Sequence, residues 1–476
     1  MSCPEAPQLP LCEAILRMAC AALALSTADS AAHAQLPENR FEELAQITAR
    51  IEFLQQTWNR DVVEQDHVRT QILEARVTGH QTTSVSVRLQ SEHNHQIASL
   101  ILLGTGNVRS TTVGVTPAAQ VSSLGDHSFQ LVKRVYFDGA RFLTRRTYGS
   151  IVARSQPFFI NTIASGIPIL GQVGEQIAWS ETLRRQPVTE SIVARQVADD
   201  LVPDFDAAVD RELASANYSW KQIQTDIARA IPRQPLRWQA ETTADSLTVR
   251  FGYRSPSGIH LTAKPLHHSA LRPEALPKED LVLTLSDQLI NDVLADLPLN
   301  SVTVSDAALE RLGASAGQLI AADGRSDAVS LSDLLAPEPL RFSLQLADVS
   351  PLSVRFEKGR PALIIRFRVK PKIGPLTELH RLTIRLQGAD SGNGRWSIGI
   401  ADVDVESEDP DSANSQMTQL IRTESRQMLL SLPPTELPRL TEIRSLTGLP
   451  DIGLREIRSR DGILRVSFQL ARLSSR

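Results

Sequence analysis

Basic residues alternate with other residues along one short stretch of the C-terminal half. Arg366, Arg368, Lys370 and Lys372 occupy every second position, with mainly apolar residues between them. On a β-strand such residues share one face, and at ~3.3 Å per residue they would form a cationic strip roughly 20 Å long. A strip of this kind suits the phosphate or uronate groups of an envelope polymer, or anionic lipid headgroups.

The stretch around this strip is also basic, since residues 341–385 contain ten Lys or Arg and three Asp or Glu. Arg381 and Arg385 belong to this stretch, and we predict that they extend the anion-binding surface. Three acids alternate in the same way on a later segment, namely Asp402, Asp404 and Glu406. Cross-strand pairing with these acids would neutralise part of the basic set, at ~0.2–1 kcal/mol per pair. We do not predict that these acids form a calcium-binding loop, because their segment lacks the glycine that the EF-hand turn requires.

Histidines give a weaker indication of a site. His93 and His95 are two residues apart, and His80 and His127 lie in the same predicted domain. Zinc needs three or four ligands with fixed geometry. The surrounding sequence, SEHNHQ at 91–96, instead indicates a polar turn between two strands. We therefore expect solvated loop histidines, and we predict neither a metal site nor a cofactor.

Catalytic signatures are absent from the sequence. It contains no G-x-S-x-G elbow, no H-E-x-x-H pair and no G-x-x-x-x-G-K-[ST] loop. No catalytic residue is therefore predicted, although scattered carboxylates leave a glycosidase pair open. The formal net charge of −4 and the lack of a reader motif argue against nucleic acid as a partner.

The cationic strip belongs to a predicted run of antiparallel strands. Apolar and polar residues alternate in five consecutive segments: 340–346, 352–357, 361–369, 379–387 and 395–406. Turn sequences rich in Gly, Pro, Asp and Asn separate them, which is typical of a meander with one buried face. A strand at 281–285, a helix that begins at Ser286 or Asp287, a helix near 412–431 and a hairpin at 454–470 complete a second β-rich lobe, 280–476.

The N-terminus is typical of an exported protein. Arg17 precedes a short apolar run, and Ala32-His33-Ala34 forms an A-x-A cleavage site. We therefore predict a signal peptide over 1–34 and a periplasmic or extracellular location. The three cysteines precede Ala34, so cleavage there leaves no thiol or disulfide in the mature chain.

Residues 35–75 form the next predicted element. Their apolar residues, from Phe41 to Trp58, are spaced in threes and fours, and the pattern continues towards Ile72. This spacing predicts an amphipathic helix, packed on the core or, as an alternative, paired with another helix.

Residues 76–253 are predicted to form the first β-rich lobe, with a helical insert that Pro203 divides into two helices and a closing hairpin at 236–253. The apolar segment 158–171 is too short to span a bilayer. We expect it to be buried against the first sheet, and a loop that dips into a membrane is the alternative. Residues 254–279, with four prolines, are predicted to be a linker.

Strand and turn sequences in the first lobe resemble a secreted protein family of planctomycete bacteria without an assigned activity. The likeness rests on VTGHQTTSVSVRL, IASLILLGTGNVRSTTVG, PAAQVSSLG and FQLVKRVYFDGARF, and it covers roughly 76–150, or about 76–215 with the helical region. It implies an envelope protein and transfers no functional residue, because none of these motifs is catalytic.

The predicted fold class is α+β: two lobes of antiparallel meander sheets, each packed with helices, after an N-terminal amphipathic helix. This arrangement resembles two-lobed tubular lipid-binding proteins, a likeness of fold that does not fix function. The predicted function is a non-enzymatic envelope protein that binds an apolar, amphipathic or anionic component, or that serves as a structural interaction module. The alternative is an extracytoplasmic hydrolase of envelope polysaccharide.

Overall fold

The computed structural model describes most of the chain after residue 39. The described residues are 40–167, 170–230, 236–255, 279–295, 297, 299–305, 342–357, 359–371, 373–392, 395–412, 415–437 and 452–470. The predicted signal peptide (1–34), nearly all of the predicted linker (254–279) and Lys372 lie outside them.

The chain consists mostly of strands. In order they are β1 (Arg40–Arg50), β2 (Arg60–Ile72), β3 (Ala75–Glu92), β4 (Ala98–Val115), β5 (Ala119–Phe137), β6 (Phe142–Thr144), β7 (Tyr148–Val152), β8 (Ser155–Thr162), β9 (Leu236–Thr242), β10 (Ser246–Ser255), β11 (Leu281–Ser286), β12 (Thr303–Ser305), β13 (Phe342–Leu346), β14 (Leu352–Glu357), β15 (Arg360–Pro371), β16 (His380–Gly392), β17 (Arg395–Ser407), β18 (Thr435–Leu437), β19 (Ile452–Arg460) and β20 (Ile463–Leu470). The helices are α1 (Ile51–Trp58), α2 (Leu170–Ala230), α3 (Asp287–Ala295) and α4 (Gln416–Leu430). The sheet pairings given below are antiparallel, and the predicted β-rich α+β class is confirmed.

Two compact units make up the chain. The first unit comprises Leu54–Ser215 and Glu241–Ser246. The second unit comprises the described residues of Met1–Phe53, Ala216–Ala240 and Leu247–Arg476.

The first unit is built on one sheet of long strands. β2, β3, β4 and β5 pair in chain order, and β6, β7 and β8 pair with successive parts of β5. A tight turn at Asp138-Gly139 joins β5 to β6, and Gly139 has φ +89°. Glycine adopts this left-handed conformation without the steric cost of a side chain.

Helix α2 packs on this sheet and is continuous. The prediction that Pro203 divides the helical region is wrong, since Pro187 and Pro203 both lie inside a single helix. A proline removes one backbone hydrogen bond and strains the preceding turn. Four side chains on either side of Pro203 pack on the sheet and hold the helix together: Val197, Leu201, Val202 and Phe205. Their partners on β4 and β5 are Val108, Phe129 and Leu131.

The second unit contains two sheets. The six-stranded sheet has the order β19-β20-β11-β1-β10-β9, so the two predicted hairpins, 236–253 and 454–470, lie in one sheet. The other has the order β12-β13-β15-β16-β17-β18, with β14 paired to β15. The five strands predicted between 340 and 406 are confirmed as β13 to β17, and α4 covers a core formed by their alternate residues, including Phe367, Leu382 and Val405.

The N-terminal stretch differs from the amphipathic helix that its spacing predicts. Only Ile51–Trp58 is helical, while the flanking residues form β1 and β2. β1 lies inside the six-stranded sheet between β11 and β10, and residues 43–49 are all buried. Pairing on both edges satisfies the backbone of β1, so tertiary contacts override the helical spacing of its apolar residues.

Candidate functional site

A cavity of about 650 Å³ lies in the first unit, between the sheet and the N-terminal part of α2. Strands β2 to β5 and β8 form one wall, and helix residues between Thr182 and Asp200 form the other. Its volume is in the range of small-molecule binding sites.

Small side chains on the sheet create this space. Ser110, Thr112 and Gly114 line the cavity at alternate positions of β4, and Ser123 and Gly125 do so on β5. Further along the same face the residues become large and apolar, and they pack against the helix. Because successive residues point to opposite faces of a strand, this run of small residues lowers the sheet surface beneath α2.

Gly114 has room for a side chain. A Cβ atom placed there would lie 3.7 Å from Ala75 Cβ and 3.8 Å from Val77 Cγ2, which are ordinary contact distances. Gly104, nearer the middle of β4, differs, because a Cβ atom there would lie 3.2 Å from the ring of Phe205 on α2. Glycine therefore permits the close approach of the helix at residue 104, whereas at residue 114 it leaves open volume.

Hydrogen bonds attach α2 along the cavity. Gln186 Nε2 donates to the backbone oxygen of Ser155 at 2.7 Å, and the Ser155 N–H donates to Glu190 Oε1 at 2.9 Å. Gln196 Nε2 donates to Thr70 Oγ1 at 3.4 Å. These bonds join the helix to β8 at one side of the cavity and to β2 at the other.

The cavity lining is both polar and apolar. Apolar surface comes from valines and from Ile72, Leu73 and Pro157, while charged side chains of both signs stand among them. The charged residues of the lining are Arg69, Glu74, Arg185, Asp199 and Asp200. A lining of this composition suits a ligand that has an apolar part and a polar part.

His127 is the buried histidine of this lining. Burial lowers its pKa below the ordinary value, although Asp126 and Glu190 act in the opposite sense. Its Nδ1 accepts a hydrogen bond from the Arg154 N–H at 3.3 Å, which requires the neutral ring with the proton on Nε2. The neutral imidazole thus presents its Nε2–H group, a hydrogen-bond donor without a positive charge, on the cavity side of β5.

A series of exposed apolar side chains follows the cavity residue Pro157 in the sequence. We call it the apolar end, and it consists of Phe158, Phe159, Ile163, Ile167, Leu170, Val173 and Ile177. Ile163 is the extreme case, with 82% of its surface exposed. The expectation that the segment 158–171 is buried against the sheet is therefore wrong for Phe158, Phe159, Ile163, Ile167 and Leu170, whereas Ile160 of the same segment is buried.

The backbone of the apolar end is ordered by its own hydrogen bonds. The Thr162 N–H donates to Ser165 Oγ at 2.8 Å, and the Gly171 N–H donates to the oxygen of Ile167 at 2.8 Å. No charged residue occurs between Pro157 and Gly174. The turn thus makes several of its backbone hydrogen bonds internally, and the described apolar side chains named above are exposed and uncharged.

A buried ion cluster fixes α2 at the other end of the sheet. Lys133 Nζ lies 2.6 Å from Asp206 Oδ1 and 2.9 Å from Asp210 Oδ1. Burial opposes ionisation of Asp206, but the hydrogen bonds from Lys133 and Thr147 outweigh it and lower the pKa of Asp206. The Thr144 hydroxyl donates to Asp210 at 3.0 Å. The carboxylate of Asp206 is therefore held in the ionised form beside the lysine.

In the second unit, the cationic strip is partly paired with acids. Arg366 forms two hydrogen bonds with Glu408, at 2.6 and 2.5 Å, and these bonds raise the pKa of Arg366 and lower that of Glu408. Arg381 is the strand partner of Arg366 and forms an ion pair with Glu406.

Arg385 also has acidic partners. Its guanidinium lies 3.4 Å from Glu357 and 3.0 Å from Asp402. Asp404, the remaining acid of the alternating set, lies 3.5 Å from Arg422 on α4. The acids therefore take part in ion pairs with arginines.

Arg368 and Lys370 are the members of the strip that remain exposed. Within the described residues, no acid forms an ion pair with either of them. They share one face of β15, opposite Gln345 and Ser343 of β13. With Lys372 outside the described residues, the cationic strip seen here consists of two exposed charges and a paired arginine.

Sequence reasoning did not identify the cavity or the Lys133 cluster. A signal for the cavity was present in the small residues at alternate positions of RSTTVG and QVSSLG. The signal for the cluster was a lysine at a buried position in β5, where the alternate positions on either side are the buried apolar residues Phe129, Leu131, Val135 and Phe137. A lysine in such a series needs buried acidic partners.

The described part of the chain contains neither a membrane-spanning helix nor a metal-binding cluster. No helix there is long and apolar enough to cross a membrane. No group of three or more His, Cys, Asp or Glu residues there could hold a metal ion.

Comparison with known proteins gives little information about this chain. No family model matches it, and no curated sequence is similar to it. A crystal structure described as that of a lipopolysaccharide binding protein aligns with 90% of this chain and 99% of that chain, at 11% identity and a TM-score of 0.27. This TM-score is too low to indicate a shared fold.

Proposed function

We propose that this protein is an exported, non-enzymatic envelope protein that binds an amphipathic lipid in the cavity of the first unit. The observation that carries the proposal is the apolar end beside the mixed lining of the cavity. A lipid has an acyl part for the apolar surface and a headgroup for the polar side chains. Export rests on the signal sequence predicted for residues 1–34.

The apolar end supports a contact with the membrane through residues 158–171. Monomeric proteins rarely expose large contiguous apolar patches unless the patch binds something. A bilayer accepts such side chains more readily when the local backbone makes its own hydrogen bonds, such as those donated by the N–H groups of Thr162 and Gly171. In the proposal, this contact brings the cavity next to the lipid that it binds.

Co-purification tests the binding proposal. The full chain is isolated from an envelope fraction and examined by native mass spectrometry and by solvent extraction. We expect a lipid at near-stoichiometric occupancy in the wild type. Gly114→Phe places a ring in the cavity and should reduce this occupancy at least tenfold.

Val115→Phe is the matched control, because it adds the same ring one residue later, on the opposite face of β4 where Val115 is exposed. The control should retain the lipid. Equal occupancy in both variants would place the lipid outside the cavity. Absence of lipid from the wild type, even after incubation with vesicles, would contradict the proposal itself.

A polysaccharide hydrolase is a second candidate, and one observation favours it. Three carboxylates, those of Glu74, Asp199 and Asp200, line the same cavity. Glycosidases use a pair of carboxylates. Release of reducing ends from envelope polysaccharide by the wild type, and its loss in Asp199→Asn or Asp200→Asn, would support this candidate over the lipid-binding proposal.

A further inference from the structure

The connection between β3 and β4 is a rigid turn. The Asn94 N–H donates to the oxygen of Thr242 at 2.9 Å, and the Thr242 N–H donates back to the oxygen of Asn94 at 2.9 Å. The side-chain oxygen of Asn94 accepts hydrogen bonds from the backbone of Gln96 at 3.0 Å and of Ile97 at 3.3 Å. The residue at the centre of the turn is therefore fixed by both its backbone and its side chain.

Two exposed imidazoles flank this fixed residue and converge. His93 Nε2 and His95 Nε2 are 2.9 Å apart. Their ring centres are 4.3 Å apart, and the ring planes meet at 83°. The same nitrogen of each ring thus lies close to its counterpart on the other ring.

The two distances are compatible with a chelate and do not fit a linear hydrogen bond. Two imidazoles at a right angle on a metal, with bonds of about 2.0–2.1 Å, place their nitrogens about 2.9 Å and their ring centres about 4.5 Å apart. A linear N–H···N bond of the same length would place the ring centres about 5.2 Å apart. The separation of 4.3 Å is much closer to the first value.

We propose that His93 and His95 form a two-histidine chelate for a divalent transition metal of the Cu²⁺ or Ni²⁺ class. Among the described residues no third His, Cys, Asp or Glu converges on this point, so water or an external ligand completes the coordination. Cu²⁺ and Ni²⁺ favour right-angled coordination by nitrogen and oxygen, whereas structural zinc sites need four ligands in a tetrahedron. The site does not depend on the lipid-binding proposal.

Copper titration of the full chain tests this site. Cu²⁺ is added at pH 7.5 in a non-coordinating buffer and followed by calorimetry and electron paramagnetic resonance. We expect one Cu²⁺ per chain at this site, with a spectrum that shows nitrogen ligands. His93→Gln and His95→Gln should each weaken binding at least tenfold, because each leaves a single imidazole. Circular dichroism establishes that these surface variants remain folded.

The other histidine pair of this unit provides the control. His67 and His80 have ring centres 4.4 Å apart at a tilt of 54°. Replacing either of them by Gln should leave the affinity unchanged. The proposal is overturned if His93→Gln and His95→Gln bind Cu²⁺ like the wild type, if the His67 or His80 variant loses the site instead, or if the wild type binds no Cu²⁺, which would leave a bent hydrogen bond between the rings.

Discussion

Lys133 on β5 reaches Asp206 on α2 across 2.6 Å, and only 1% of the lysine side chain is exposed. The two residues are 73 positions apart in the sequence. Asp210 and Thr147 complete the contacts, so the charge of the lysine is matched inside the first unit. This ion pair fixes α2, the helix that covers the cavity, on the sheet.

Breaking this pair should destabilise the first unit. Removal of one member of a buried pair typically costs 3–5 kcal/mol, and Lys133→Met should cost roughly 3 kcal/mol because Asp210 is half exposed. Urea unfolding measures the effect. The double variant Lys133→Met/Asp206→Leu should cost less than the sum of the single variants. Strictly additive costs would show that the two side chains do not interact.

Membrane binding should depend on the apolar end. Ile163→Ser together with Ile167→Ser removes two exposed apolar side chains, each worth about 1.5 kcal/mol or more when buried in lipid. Vesicle flotation should therefore show binding that is at least 100-fold weaker. Val62→Ser/Val63→Ser is the matched control, since both valines are exposed elsewhere in the first unit. An equal loss in the control would mean that residues 158–171 have no special role.

Retention on an anionic polymer should depend on the exposed charges of the strip. Near an anionic surface each basic residue contributes about 1 kcal/mol, so Arg368→Gln/Lys370→Gln should weaken binding by about 2 kcal/mol, or roughly 30-fold. Arg366→Gln should have a smaller effect, because Glu408 already neutralises that arginine. Salt elution from a polyanion column measures both. Unchanged elution of the double variant would exclude the strip as a site.

Stability should fall as the solution becomes mildly acidic. His380 is fully buried in the second unit, and burial lowers its pKa below the ordinary value of 6.5, despite the opposing charge of Glu378. His380 binds a proton more readily in the unfolded chain than in the folded one. Its contribution to the stability of the fold is therefore complete above about pH 6.5, and this contribution is lost as the pH falls towards the pKa of His380 in the folded state.

One histidine can change the free energy of unfolding by up to about 1.4 kcal/mol per pH unit. Urea unfolding between pH 7.5 and 5 measures it, and His380→Phe should reduce the slope. His80→Gln, at a histidine of the first unit, serves as the control and should retain the slope. A slope that is the same in His380→Phe and in the wild type would show that His380 does not titrate on unfolding.

Local patterns predicted much of the second unit. Alternation of apolar and polar residues located β13 to β17 to within a few residues, because a strand with one buried face imposes a period of two. The predicted hairpin at 454–470 is also present, as β19 and β20 joined by a turn at Asp461-Gly462, where both residues have positive φ. Alternation did not predict β1, because every residue from 43 to 49 is buried and the strand therefore has no alternation of buried and exposed positions.

The sequence by itself determined the β-rich class of this protein, the positions of many of its strands and the absence of known catalytic motifs, because these depend on neighbouring residues. Only the tertiary structure decided which charges are matched and where space remains. Arg366 meets Glu408 from 42 positions away, and the cavity exists because small residues on several strands lie under one helix. Both are properties of distances through space, which alternation along a chain does not encode.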